Sequence, residues 1–235
     1  MDTYSQALQN YYDEKEPFNY EIVRDDGYSS VVPLSIFFED SGFSNIELLA
    51  LDRCKGKVLD VGAGAGRHSL ELQRRKVNVT AIDISYNAVG IMASRGVEKV
   101  IHSDIMDLSD VKYDILLMLM NGIGMVGNPE RLDAFLKKSK LLLSKNGIII
   151  FDSVDVLKTD NQKHISYREK NIQNGRLPGQ QKLRINYAGI AGEWFNWLHI
   201  SFNEASQFAK KHGFVTELVN MQENGQYIAT LQIKS

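Results

Sequence analysis

Residues 57–66 read Lys-Val-Leu-Asp-Val-Gly-Ala-Gly-Ala-Gly. Val58, Leu59 and Val61 predict a buried strand of a parallel sheet. Gly62, Gly64 and Gly66 follow at every second position, and Arg67 opens the helical pattern RHSLELQRR. The glycines thus fall where the strand turns into a helix. Glycine accepts positive φ at such a turn and lets a ligand approach the bare backbone. The unpaired N–H groups of the helix start then face whatever binds there. A dinucleotide fingerprint would need its third glycine at position 67, which is Arg67, and no Lys-Ser or Lys-Thr completes a Walker loop. Asp60 stands at the end of the strand instead, where a carboxylate suits a cationic or amino-bearing ligand and repels phosphate. The stretch predicts a loop for a small-molecule cofactor.

Further strands repeat the arrangement. Val77–Ser85, VNVTAIDIS, ends in Asp83, roughly 20 residues beyond Asp60, the spacing at which an acid meets ribose hydroxyls. A carboxylate can take both hydroxyls at once. KVIHSDIMDL predicts a short strand ending near Asp104, and YDILLMLMNGIG a strand ending at Asn121 and Gly122. Asn128-Pro129 opens the next helix, and GIIIFDSV is the fifth strand of the series. Asp83 and Asp104 also suit ordinary turns or caps, and Asn-Gly is a common turn dipeptide, so the weight rests on their joint order.

This series resembles the class I S-adenosylmethionine-dependent methyltransferases, whose motif I matches Asp60 to Gly66, over most of residues 57–154 and on to the C-terminus. The resemblance implies an α/β fold: a doubly wound, mostly parallel seven-stranded, Rossmann-like sheet of order 3-2-1-4-5-7-6, its last strand antiparallel. It implies S-adenosyl-L-methionine as cofactor and S-adenosyl-L-homocysteine as product. The loop would wrap the methionine part of the cofactor. Asp60, Gly62, Ala63, Gly64, Gly66 and Arg67 thereby become candidate cofactor residues, with Asp83 and Ile84 at the ribose. Asp104 would meet the adenine amino group, and Ile105 would offer a backbone N–H to the ring. Asn121 and Gly122 match motif IV by pattern.

The chain of 235 residues suits one methyltransferase domain, 1–235, with additions. Residues 1–50 predict a helical lead-in: Tyr4, Leu8, Tyr11 and Tyr12 fall at helical spacing, and VVPLSIFFEDSGFSNIELLAL supplies one or two more helices. Tyr11, Tyr12, Phe18, Tyr20 and Tyr28 are candidates to cover cofactor and substrate, or simply to pack helices on the sheet. Residues 155–200 exceed a plain connection and form a small β-rich insert. HISYREKNI, QKLRINYAG and EWFNWLHIS alternate like strands, with turns at Asn174-Gly175 and Pro178-Gly179. Strand five is parallel and ends at the edge of the glycine loop, and the helix after the insert must begin there too, which places this insert over the C-terminal ends of the strands, where ligands bind. It is a substrate lid or the arm of a homodimer. Ser201 to Glu204 reads as a capping box before a helix that Gly213 ends, and FVTELVNMQ and QYIATLQIK form a hairpin through Glu223-Asn224-Gly225.

A formal net charge of −2 gives no electrostatic footprint for nucleic acid, so none is expected as a partner. No apolar run reaches the roughly 20 residues of a membrane span. The polar, acidic N-terminus is not a signal peptide, and the lone Cys54, read as structural, fits a reducing compartment, so the expected location is cytoplasmic. Methyl transfer from a sulfonium needs alignment and exclusion of water, and a base only for a hydroxyl or charged amine. His199, beside Trp194 and Trp197, is the first candidate for catalytic base, a strand-packing role being the alternative. His102 reads as a strand-end residue or adenine neighbour and His68 as structural. Strand four lacks an Asn/Asp-Pro-Pro-Tyr signature, and Asp152 and Asp155 lack a histidine partner, so no metal site is expected. The reading is transfer of a methyl group to an O or N atom of a small-molecule acceptor. An RNA or protein methyltransferase and a non-catalytic S-adenosylmethionine-binding regulator are the alternatives. The acceptor and its reacting atom are not legible in the sequence.

Overall fold

The computed structural model describes residues 2–40 and 42–234. Asp2 caps helix α1 (Thr3–Tyr12), its carboxylate taking the Tyr4 N–H. A hairpin follows, β1 (Asn19–Arg24) and β2 (Ser29–Pro33), then helix α2 (Asn45–Leu51) behind a capping box made by Ser44 and Glu47. The core series is β3 (Lys57–Val61), α3 (Arg67–Arg74), β4 (Asn78–Asp83), α4 (Tyr86–Ser94), β5 (Val100–His102), β6 (Tyr113–Met118), α5 (Pro129–Leu142) and β7 (Leu143–Val154). After it come α6 (Gln162–Gln173), β8 (Gln180–Tyr187), β9 (Ile190–Ala191) and β10 (Phe195–Leu198). Helix α7 (Phe202–Lys211) and the hairpin β11 (Phe214–Met221) and β12 (Gln226–Ile233) end the chain.

Seven strands hydrogen-bond in the order β11-β12-β7-β6-β3-β4-β5. Pairings β3–β4, β4–β5 and β6–β7 are parallel, while β12 runs antiparallel to both β7 and β11. Counted along the core series this is the expected order, and β12 is the antiparallel last strand. The burial agrees with it: β3, β6 and β7 each carry at least four consecutive buried residues, as strands covered on both faces do. The Ser201–Glu204 capping box forms as read, and Gly213 follows the helix with φ +76°.

Two stretches depart from the sequence reading. HISYREKNI is not a strand but part of α6. Its alternation misled because the side chains that bury, Tyr167 and Asn171, lie four residues apart, and the Asn171 amide donates to the carbonyls of Pro178 and Gln180. The lead-in contains α1 and α2, but between them stands the hairpin β1–β2, turned at Asp26-Gly27 with Gly27 at φ +84°. That Asp-Gly is a hairpin signal between two short β-branched runs. The insert supplies β8, β9 and β10, and β8 pairs antiparallel with β1, so lead-in and insert build one five-stranded sheet, β10-β8-β1-β2 with β9 on β8. The insert is therefore not a separable flap: removing it would leave β1 paired with β2 alone.

The chain packs as two compact units. One comprises Met1–Gly42, Lys57–Leu108 and Lys182–Phe195. Its core joins Ala7 and Leu8 of α1, Tyr20, Leu34, Tyr187, and Ala88 and Ile91 of α4. The other comprises Phe43–Gly56, Ser109–Gln181 and Asn196–Ser235, with Ile149, Ile150 and Phe151 of β7 and Tyr227, Ile228 and Ala229 of β12 fully buried. Among the described residues no helix is long and apolar enough to cross a membrane.

Candidate active site

In the first unit the glycine loop joins β3 to α3. Gly66 precedes α3 with φ +83°, and a Cβ there would come within 2.9 Å of Val97 and 3.0 Å of Met92. Left-handed backbone and close packing together demand glycine at this point. The loop's own N–H groups are largely spent: those of Gly62 and Ala63 go to the Ile82 carbonyl, that of Gly64 to Asp83, and that of Gly66 to Ala63. Asp60 is buried at the end of β3, and its Oδ2 accepts from the Ser69 hydroxyl at 2.7 Å. Burial pushes its carboxyl up, while His68 and the Ser69 bonds pull it down. Asp60 and Ser69 thus fasten the first turn of α3 under the loop. Arg67 is buried and donates to the Ile36 carbonyl at 3.0 Å, and Arg95, which the sequence reading passed over, donates to the Ala65 carbonyl at 2.6 Å.

Asp83 ends β4 beside this loop. Its Oδ2 accepts from Gly64 N–H at 2.9 Å and its Oδ1 from Ser85 N–H at 2.8 Å. One carboxylate therefore ties the glycine loop to the cap of α4. Burial raises its pKa, and the Ser85 and Gly64 N–H groups lower it. Ile84 next to it is 72% exposed, and Tyr86 76% exposed. The Tyr86 ring meets His102 edge-on at 5.7 Å, and the His102 Nε2 lies 3.0 Å from the Ile84 carbonyl. Asp104 follows β5 and its carboxylate accepts from Met106 N–H at 2.9 Å, with Ile105 half-buried beside it. Asp83, Ile84, Asp104 and Ile105 all sit at the C-terminal ends of the paired strands β4 and β5, as expected.

Of the aromatics proposed as cover, Tyr20 is core, Tyr11 packs on Phe18 and Phe38, and Tyr28 lies under the Arg24 guanidinium. The ring that reaches the loop is Tyr4. Its hydroxyl stands 3.6 Å from where a Gly64 Cβ would be.

In the second unit the turn after β6 and the end of β7 meet residues 196–200. Asn121 takes φ +58° and Met120 φ +61°, two successive non-glycine residues in a left-handed conformation. The turn is held by the buried Asp152, whose Oδ1 accepts from Asn121 N–H at 2.7 Å. The Asn121 Oδ1 is buried with no hydrogen-bond partner among the described residues. Strained backbone that its surroundings over-determine is a mark of functional turns. Buried Gly122 and Gly124 continue the turn, and Trp197 packs so closely on Gly124 that a Cβ there would enter the indole.

His199 is fixed from both sides. Its N–H donates to the Gly179 carbonyl at 2.9 Å, and the following Ile200 N–H donates to Ser153 Oγ at 3.1 Å. The Tyr227 hydroxyl donates to the Ile200 carbonyl at 2.7 Å. The His199 Nδ1 is buried, with no hydrogen-bond partner among the described residues. Burial, aided by the nearby His164, pushes the imidazole down from 6.5 to about 4. His164 escaped the sequence reading because its stretch was read as a strand; on α6 it comes within electrostatic reach of His199.

A cleft of about 510 Å³ lies elsewhere in this unit, lined by Lys137, Lys140, Leu141, Lys211, His212 and Gly213. It sits at the C-terminal ends of α5 and α7. The turn after β6 leads into the N-terminal end of α5, so at least about 12 Å of helix separates the two.

Comparison with known proteins agrees with this geometry. Residues 58–147 match the family model described as a methyltransferase domain. A SAM-dependent methyltransferase from Bacteroides fragilis, solved in complex with S-adenosyl-L-homocysteine, is 30% identical. That match covers 100% of this chain and 95% of the other, with a TM-score of 0.87. At 12% identity the CcbJ methyltransferase of Streptomyces caelestis shares the fold, covering 100% and 99% of the two chains with a TM-score of 0.64. CalS10, an amino pentose methyltransferase from Micromonospora echinaspora, shares it at 13% identity, 85% and 95% coverage and a TM-score of 0.56. No curated protein matches in sequence. The chain belongs to the S-adenosylmethionine-dependent methyltransferases of class I, with S-adenosyl-L-methionine as cofactor.

The residues present fit that cofactor. Asp83 offers an acceptor-only carboxylate to a diol, and Ile84 presents apolar surface at the same strand end, as an adenosine requires.

Proposed function

We propose that this methyltransferase modifies an O or N atom of a small-molecule acceptor, and that His199 is its base. The observation that carries the reading is the imidazole of His199, uncharged at neutral pH, on a backbone pinned by Gly179 and Ser153 in the segment whose Trp197 packs on the turn after β6. Bound S-adenosylmethionine supplies an activated methyl group on a sulfonium, so the protein's task is alignment and exclusion of water. Asp83 reads the ribose, Asp104 and Ile105 meet the adenine, and the loop from Asp60 to Arg67 holds the methionine end. Asn121 and Gly122 are assigned to the cofactor by their match to motif IV. With Nδ1 packed away, Nε2 is the nitrogen that takes the acceptor's proton. The lysine-lined cleft would suit a polyanion, but its place at the far end of α5 weighs against it as the entry for an acceptor.

The test is release of S-adenosylhomocysteine from a panel of small hydroxylated and aminated metabolites, followed by a pH profile with the best hydroxyl acceptor. An ordinary histidine base loses activity below its pKa of about 6.5. Here the imidazole protonates only near pH 4, so activity should stay level from pH 7 down to about 5 and fall below that. Turnover of RNA or protein with no metabolite accepted would overturn the small-molecule reading. An acid limb centred near 6.5 would remove His199 in its present environment from the role of base.

A further inference from the structure

Tyr4 brings a phenol to the cofactor loop from outside the Rossmann-like core, and its hydroxyl has no hydrogen-bond partner among the described residues. Helix α1 is fastened at this point from three directions. The Thr3 hydroxyl donates to the Ile185 carbonyl at 2.7 Å, the Ser5 and Ser85 hydroxyls share a hydrogen bond of 2.8 Å, and the Asn87 amide reaches the Ser5 carbonyl at 3.4 Å. The Tyr4 ring is held edge-on by Tyr20 at 6.0 Å and by Phe37 at 5.6 Å. Its orientation is therefore set before any ligand arrives. Its hydroxyl faces Gly64 and lies within the field of Asp83, yet no described residue hydrogen-bonds to it.

The chemistry of that pair defines what belongs between them. Burial raises the Tyr4 pKa well above its usual value, and Tyr20, Asp83 and Asp2 push it the same way. The phenol is therefore an O–H donor at any physiological pH. Asp83 can only accept, and its two oxygens already hold Gly64 and Ser85 N–H groups while keeping further lone pairs. A group that donates to Asp83 and accepts from Tyr4 at once is a hydroxyl. A carboxylate would instead be set against Asp83 and Asp2. We propose that Tyr4 is a cofactor-binding residue whose hydroxyl donates to a ribose hydroxyl that Asp83 holds from the other side. Helix α1 is thus a wall of the cofactor site, and the lead-in shares in building it. This rests on the assignment of Asp83 to the ribose.

Tyr4→Phe removes the donor and keeps the ring against Tyr20 and Phe37. Calorimetric titration of the full chain with S-adenosylhomocysteine should show a five- to tenfold loss of affinity, the worth of about one hydrogen bond. The melting temperature of the ligand-free variant should match that of the wild type, whereas a purely structural role would lower it. Adenosine, which keeps the ribose and lacks the methionine arm, should lose the same factor. Affinity within twofold of wild type overturns the inference. So does a loss for S-adenosylhomocysteine that adenosine does not share, since the contact would then lie on the methionine arm. If Asp83→Ala left wild-type affinity intact, the ribose assignment itself would fail, whatever Tyr4→Phe does.

Discussion

Asp83→Ala is expected to weaken S-adenosylhomocysteine binding by roughly 10²-fold or more, because hydrogen bonds to a charged group are worth about 1.5–3 kcal/mol each. The structure adds a second consequence. The Asp83 carboxylate also ties Gly64 N–H to Ser85 N–H, so its loss frees the glycine loop from the cap of α4. A fall in melting temperature should accompany the loss of affinity. Asp83→Asn separates the two effects: its amide oxygen can still accept from one N–H, but it lacks the charge. Titration calorimetry and thermal melts on both variants check this. Wild-type affinity in Asp83→Ala would show that the ribose lies elsewhere.

His199→Ala should lower the turnover of a hydroxyl acceptor by roughly 10²-fold or more, the usual worth of a positioned base. Cofactor affinity should be unaffected, since His199 is assigned to the acceptor. The same variant carries a stability signature. The folded-state pKa of about 4 lies below the ordinary 6.5, so the unfolded chain binds the proton more readily between those values. The stability His199 contributes is complete above pH 6.5 and is lost as pH falls toward 4. Melting temperatures measured across that window should fall less steeply in His199→Ala. Unchanged turnover in the variant would remove His199 from the chemistry, whatever its effect on the melts.

What could be read from the sequence was what local chemistry writes. An apolar run ending in an acid and three spaced glycines defines β3, its loop and α3 without help from the rest of the chain. The acids at the ends of β4 and β5 repeat the pattern. The Ser201–Glu204 capping box and the Glu223-Asn224-Gly225 turn were equally local, and the hairpin β11–β12 followed from them. What escaped depends on distant partners. The alternation of His164–Ile172 predicts a strand, while in the folded chain Tyr167 and Asn171 bury one helical turn apart and the Asn171 amide meets the carbonyls of Pro178 and Gln180. The pairing of β1 with β8 joins residues far apart in sequence, and no alternation in either strand announces it. Tyr4 was visible only as one apolar position on a helix. Its place over Gly64 arises from the docking of α1 on α4 through Ser5 and Ser85. His199 was legible as a candidate, but the Gly179 and Ser153 contacts that clamp it, and the burial that keeps it uncharged, were not.

The β8–β1 pairing also changes how the insert can be tested. Replacing residues 155–200 by a Gly-Ser linker would abolish turnover through loss of the five-stranded sheet alone, so single substitutions at His199 are the more informative probe.

The central claim is that the glycine loop and Asp83 bind an adenosylated sulfur compound and not a dinucleotide. Calorimetric titration of the purified chain with S-adenosylhomocysteine, and separately with NAD, tests it most directly. The account predicts roughly micromolar binding of S-adenosylhomocysteine with one site per chain, abolished or severely weakened in Asp83→Ala, and no heat or competition from NAD. Binding of NAD with no response to S-adenosylhomocysteine or S-adenosylmethionine would contradict it.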